Sequence, residues 1–147
     1  MALWVDGADV VLRCTPSTSL LRGLRDAGFT ATPGGCEQGE CGSCTVLVDD
    51  VPLCACLVNA GAVVGGDVRT VVSIASPDPA AALARRGAVQ CGFRTPGFVV
   101  SAEALLAAAR VPSWDEVREA LAGNLCRCTG YAGLVEAVVE VAEERFG

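Results

Sequence analysis

Nine cysteines and no histidine in a chain of 147 residues constrain the possible folds more tightly than any hydrophobic pattern. Eight of the nine fall into two tight groups, one around Cys36–Cys56 and one made of Cys91, Cys126 and Cys128. In the first group the run Gly34-Gly35-Cys36-Glu37-Gln38-Gly39-Glu40-Cys41-Gly42-Ser43-Cys44 spells C-x4-C-x2-C, and Cys56 follows as a fourth thiol. Gly34, Gly35, Gly39 and Gly42 give this loop access to positive φ and to close backbone approach. Successive backbone N–H groups in such turns form a concavity for an anion.

Four thiolates at this spacing, inside a glycine-rich loop, form the ligand pattern of a plant-type 2Fe-2S centre at Cys36, Cys41, Cys44 and Cys56. Two other uses of cysteine compete with this reading. A disulfide framework suits short secreted chains, but nine is an odd number, and Met1 to Asp6 lacks a basic region followed by an apolar run. A zinc ribbon pairs two separate short knuckles, whereas Cys41 and Cys44 form the one C-x2-C of the sequence. The absence of histidine removes Cys-His zinc fingers, Rieske ligation and histidine acid–base catalysis together.

At 15.0 kDa the chain has room for one ordinary domain or two small ones that need a metal or partner for stability. A formal net charge of −6 and a pI near 4.5 argue against a nucleic-acid partner, whose phosphates demand a basic surface. No apolar stretch approaches the length that spans a bilayer, so a soluble, cytoplasmic protein is expected.

The first half reads as strands around one helix. Leu3-Trp4-Val5 and Val10 to Cys14 flank Asp6-Gly7, a hairpin signal. Ser19 to Ala27 is predicted as an amphipathic helix burying Leu20, Leu21 and Leu24, with Gly28 as its cap. Thr45 to Val48 and Val51 to Leu53 bracket Asp49-Asp50 as a second hairpin, and Val68 to Val72 is the last strand. Ser76-Pro77-Asp78-Pro79 breaks every periodicity and divides the chain into residues 1–75 and 76–147.

Beyond that break the sequence is alanine-rich and helical, with predicted helices at Pro79–Arg86, Pro96–Arg110, a third opened by the capping box Ser113-Trp114-Asp115-Glu116, and Tyr131–Phe146. Trp114, Val117 and Leu121 share one face of the third helix. Leu134, Val135, Val138 and Ala142 face inward on the fourth, with Glu136, Glu140 and Glu143 outward. The fold class is therefore α+β, a small sheet domain followed by four helices.

With these residues in view, the chain resembles the iron–sulfur small subunits of the molybdenum hydroxylases, the family of xanthine dehydrogenase, aldehyde oxidoreductase and aerobic carbon monoxide dehydrogenase. The resemblance runs nearly end to end, through Gly35 to Val46, Gln90-Cys91-Gly92-Phe93, Thr95-Pro96-Gly97 and Gly123 to Tyr131. It implies a ferredoxin-like β-grasp domain joined to a four-helix domain, each holding one 2Fe-2S cluster. Cys36, Cys41, Cys44 and Cys56 would hold the cluster nearer the flavin. Cys91, Cys126 and Cys128 match three ligands of the cluster nearer molybdenum. Gln90 resembles the glutamine that hydrogen-bonds the pterin of the molybdenum cofactor, and Cys128 the ligand packed against it; as a simpler role, Gln90 satisfies a helix end or a buried carbonyl.

The family's eighth ligand falls at Arg94, where the pattern asks for cysteine. A guanidinium stays protonated and cannot replace a thiolate. Three explanations stand open: a cluster built on three cysteines with Arg94 or another oxygen or nitrogen donor, a lost cluster, or an altered sequence. Cys14 and Cys54, expected on strands of the first half, read as free thiols rather than substitute ligands.

The resemblance implies an electron-transfer subunit with no bond-making site of its own. Its partners are a large molybdenum-binding chain and a medium FAD-binding chain, with no nucleic acid and no membrane. The competing reading is a free-standing ferredoxin-like carrier or redox-responsive module with a single cluster. The added helical half, with its Gly123-Asn124-Leu125-Cys126-Arg127-Cys128 turn, favours the subunit.

Overall fold

The computed structural model describes residues 1–74 and 78–147. Two hairpins build most of the sheet. Strands β1 (Ala2–Val5) and β2 (Ala8–Val11) meet through Asp6 and Gly7 at φ 50° and 80°, and β3 (Thr45–Val48) and β4 (Val51–Cys54) through Asp49 and Asp50 at φ 48° and 67°. Two consecutive positive φ values define the tight turn whose twist matches that of the strands, which is why these dipeptides were legible. Strand β5 (Asp67–Arg69) lies parallel to β1 and antiparallel to β3, giving the order β2-β1-β5-β3-β4.

Helix α1 (Leu20–Asp26) is capped by Ser19, whose hydroxyl accepts from the Arg22 N–H. It ends where Gly28, at φ +96°, lets the Phe29 amide reach back to the Leu24 carbonyl. Leu20, Leu21 and Leu24 pack with Val5, Val46 and Val68 in the first core, each such burial stabilising by about 1.5–3 kcal/mol.

Two strands are shorter than the sequence predicts. Strand β2 spans Ala8–Val11, with Val11 opposite Ala2; Leu12 and Met1 exchange one more pair of bonds, and Cys14 beyond them lies in a bend rather than on a strand. Strand β5 stops at Arg69 because the Thr70 amide and hydroxyl both donate to the Asp6 carboxylate, each at 2.7 Å, which removes Thr70 from the ladder.

Four helices follow: α2 (Asp78–Arg85), α3 (Thr95–Leu106), α4 (Trp114–Leu121) and α5 (Ala132–Phe146). Ser76 and Pro77 of the expected linker lie outside the described residues, while Asp78 and Pro79 already belong to α2. Helix α3 ends four residues before Arg110, with Ala109 at φ 54° ahead of Pro112, which cannot continue a helix. The Ser113–Glu116 capping box forms as expected. Trp114, at the first turn of α4, stays half exposed, whereas Val117 and Leu121 are buried.

The two halves share β3. All four of its residues are buried, with Val46 and Val48 in the sheet-side core and Leu47 in the helical core beside Phe98 and Val138. Helix α3 packs against β3, so the helical half rests on the back of the sheet. Among the described residues no helix is long and apolar enough to cross a membrane.

Candidate iron–sulfur sites

The first cysteine loop runs between α1 and β3 and is shaped by its left-handed residues. Gly39 and Gly42 take φ values of +76° and +68°, and Glu37 takes +54°. Gly34 and Gly35 keep ordinary φ, so their use differs from the expected one. Gly35 provides space: a Cβ there would lie 2.9 Å from Ser43 Oγ and 3.1 Å from Cys41 Sγ.

The four thiols of this group stand as two pairs. The amides of Gln38 and Cys41 donate to Cys36 Sγ, both at 3.4 Å, and Cys41 Sγ lies 3.2 Å from Ser43 Oγ. Cys44 and Cys56 form the other pair, close enough for a thiol hydrogen bond. Among the described residues no three His, Cys, Asp or Glu side chains gather around one point as ligands of a single ion would. Two pairs of thiols on a loop that aims N–H groups at sulfur suit a two-iron cluster, whose irons share four cysteines.

Electrostatics separates the members. Burial pushes the Cys44 thiol up to about 12. Burial also acts to raise Cys41, but hydrogen bonding with Ser43 and Cys36 outweighs it and brings that thiol down to about 6. Cys44 therefore keeps its proton near neutral pH, and a metal bound there would have to displace it, which couples binding to pH. Cys54, at the end of β4, sits beside Cys44 with its thiol raised by burial; Cys14 is half buried against the same core.

The second group sits on the turn before α3 and the turn before α5. Cys91 and Cys128 are exposed, with their sulfurs 3.8 Å apart, and Cys126 is half buried. The Cys126 amide donates to the Tyr131 hydroxyl at 2.7 Å. Cys91, Cys126, Cys128, Thr129 and Arg94 line one small cavity, in which Thr129 Oγ1 is buried without a hydrogen-bond partner. This site supplies three neighbouring thiols, so it does not fit a four-thiolate centre. Gln90 is exposed on the same turn as Cys91.

Arg94 borders the cavity of the second group and also extends beyond it. Its backbone caps α3, but its guanidinium reaches the first loop, where Nη1 lies 2.9 Å from the Cβ position of Gly35. The guanidinium carbon itself lies over the Phe93 ring, 5.5 Å from its centroid. Arg94 Nη1 is buried and has no hydrogen-bond partner.

The two loops are fastened to each other, a feature the sequence reading missed. The Leu125 amide donates to the Cys41 carbonyl at 3.0 Å. Asn124, 3% exposed, donates through Nδ2 to the Gly42 carbonyl at 2.9 Å and accepts from the Ser101 hydroxyl at 2.8 Å. Asn124 stands within the Gly123 to Tyr131 motif of the second turn, and nothing in the sequence beyond that membership names its partners.

The chain matches the 2Fe-2S iron-sulfur cluster binding domain over residues 4–84 and the 2Fe-2S binding domain over residues 70–139. It is 41% identical over 142 residues to the xanthine dehydrogenase iron-sulfur-binding subunit of Escherichia coli O157:H7, covering 92% of this chain and 89% of that protein. It is 46% identical over 118 residues to the nicotine 6-hydroxylase small subunit of Paenarthrobacter nicotinovorans, covering 78% and 72%. Among solved structures it superimposes on a chain of quinoline 2-oxidoreductase from Pseudomonas putida 86 with a TM-score of 0.88 and 38% identity, over 100% of this chain and 97% of that one.

Proposed function

Because the chain belongs to the iron–sulfur small subunits of the molybdenum hydroxylases, we propose that it passes electrons from a molybdenum centre on a large partner chain to a flavin on a medium one. Bound 2Fe-2S clusters supply one-electron storage. Everything else is positioning by this chain. Cys36, Cys41, Cys44 and Cys56 hold the flavin-side cluster, and the Cys36 sulfur is steadied by the amides of Gln38 and Cys41. Cys91, Cys126 and Cys128 belong to the molybdenum-side site, short of one thiolate. Residues 1–75 carry the first site and 76–147 the second, and the complex works in the cytoplasm, where thiols stay reduced.

The observation that carries this reading is the direct bond between the two cysteine turns, Leu125 N–H to the Cys41 carbonyl, reinforced by Asn124. A one-cluster carrier has no use for a second cysteine turn locked to the first, whereas a relay needs a fixed separation. Around the second turn Phe93, Leu125 and Tyr131 are 46%, 50% and 38% exposed, an apolar rim of the kind that partner subunits cover. Exposed Gln90 and Cys128 then face the pterin of the large chain.

Native purification with metal analysis tests the proposal. The expected result is a heteromer containing molybdenum, flavin and this chain. A lone 15.0 kDa species carrying iron alone would favour the single-cluster carrier.

A further inference from the structure

Among the described residues, two buried side-chain N or O atoms lack a hydrogen-bond partner, and each stands at one of the two cysteine groups: Arg94 Nη1 at the first and Thr129 Oγ1 at the second. A buried charged donor without an acceptor is costly, and proteins seldom leave one so. Arg94 therefore requires an anionic or sulfur acceptor that the protein atoms do not supply.

Geometry identifies where that acceptor lies. Arg94 Nη1, Ser43 Oγ and Cys41 Sγ converge on one point beside Gly35, at 2.9, 2.9 and 3.1 Å from the position of its missing Cβ. The guanidinium and the Cys41 sulfur are thus within about 6 Å of each other. Any side chain at residue 35 would occupy this meeting point. Residue 94 starts α3 in the helical half, so the arm crosses between the two halves of the chain.

We propose that Arg94 is a cationic hydrogen-bond donor to the first centre, on Cys36, Cys41, Cys44 and Cys56, and not a ligand of the second. This rests on the ligand assignment proposed above. Reduction adds one negative charge to a cluster that is already anionic. A fixed guanidinium beside it favours the reduced form and raises the potential of the first centre. The second group keeps three thiols, since a guanidinium has no free lone pair to offer a metal. A single residue thus removes a ligand from one site and tunes the other.

The test is an EPR-monitored redox titration of the holo-protein in its native complex, with iron counted per chain. Arg94→Gln and Arg94→Met remove the cation without adding a thiolate. Each is expected to lower the reduced-to-oxidised ratio of the first centre at least tenfold at fixed potential, about 59 mV for a one-electron couple. Arg94→Lys should keep most of the wild-type ratio. Arg94→Cys should lower the first centre in the same way while raising the iron bound at the second site. If both neutral variants lose the iron of the first centre and Arg94→Lys keeps it, the assignment is also supported. A first-centre potential unchanged in the neutral variants, or loss confined to second-site iron, would overturn it. A wild-type protein with no first-centre signal would instead refute the ligand assignment itself.

Discussion

Truncating Asn124 to alanine should loosen the joint between the two cysteine loops, and the size of the effect follows from its partners. Two good hydrogen bonds are lost, Nδ2 to the Gly42 carbonyl at 2.9 Å and the Ser101 hydroxyl to Oδ1 at 2.8 Å. The third, to Thr45 Oγ1, is long at 3.4 Å and contributes little. The Gly42 carbonyl is not orphaned, because the Thr45 hydroxyl still donates to it at 2.6 Å. Ser101 and Asn124 also border an open groove with Thr45, Cys54 and Gly123, so water reaches the released Ser101 hydroxyl. The full penalty for buried unpaired groups therefore does not apply, and the cost is about 1 kcal/mol per bond, ~2 kcal/mol in all. That corresponds to opening of the joint about 30-fold more often. The reporter is the Leu125 amide, bonded to the Cys41 carbonyl and followed by hydrogen-exchange mass spectrometry of the oxidised holo-protein. Ser101→Ala should give roughly fivefold faster exchange, and the double variant little more than Asn124→Ala, because the two share one bond. Exchange at Leu125 within threefold of wild type would show that Asn124 does not fasten the loops.

Cys44→Ser should abolish the visible absorption of the first centre and unfold the sheet half, since this buried thiol joins the cluster loop to the core and site and fold are coupled; a folded variant with full iron would contradict the ligand set. Removal of iron by chelation should destabilise the same half first, read as loss of protection in β1–β5 ahead of α2–α5. Glu116→Gln should weaken the start of α4 in a pH-dependent way. The Arg110 guanidinium, helped by Ser113, holds the Glu116 carboxyl down to about 2 against an ordinary 4.5. Because the folded value is depressed, the contribution is complete above about 4.5 and disappears as pH falls through about 2. The difference in thermal midpoint between wild type and variant should be constant above that window and close within it; a difference independent of pH would remove the ion pair from the explanation.

What the sequence disclosed and what it hid divide by sequence separation. Asp6-Gly7, Asp49-Asp50, the leucines of α1 and the Ser113 capping box act within a few residues, and each forms as read. The features that alter those expectations are contacts between distant residues. The end of β5 is set by Asp6, 64 positions from Thr70, and the joint between the loops by Asn124, 82 positions from Gly42. Polar side chains carry no periodicity that would announce such partners. The complete burial of β3 is intermediate: Thr45-Val46-Leu47-Val48 is a near-continuous apolar run, which signals a strand covered on both faces, but not which elements cover it.

Arg94 shows how far a motif position determines chemistry. Gln90 to Gly97 forms the turn and the start of α3, with Arg94 as the residue that caps the helix. A cysteine has one bond beyond Cβ and is bound to act near its own backbone. Beyond Cβ arginine carries two more carbons and a planar guanidinium, and its head settles where charge and donor geometry are best satisfied rather than where the turn points. Here that place is across the joint, beside Gly35 and Cys41, where the absence of a side chain at residue 35 offers room and the proposed first centre would offer an acceptor. The same substitution is then a loss at the second site and a gain at the first, and the two effects separate experimentally because only Arg94→Cys reverses the loss, whereas every neutral replacement removes the gain.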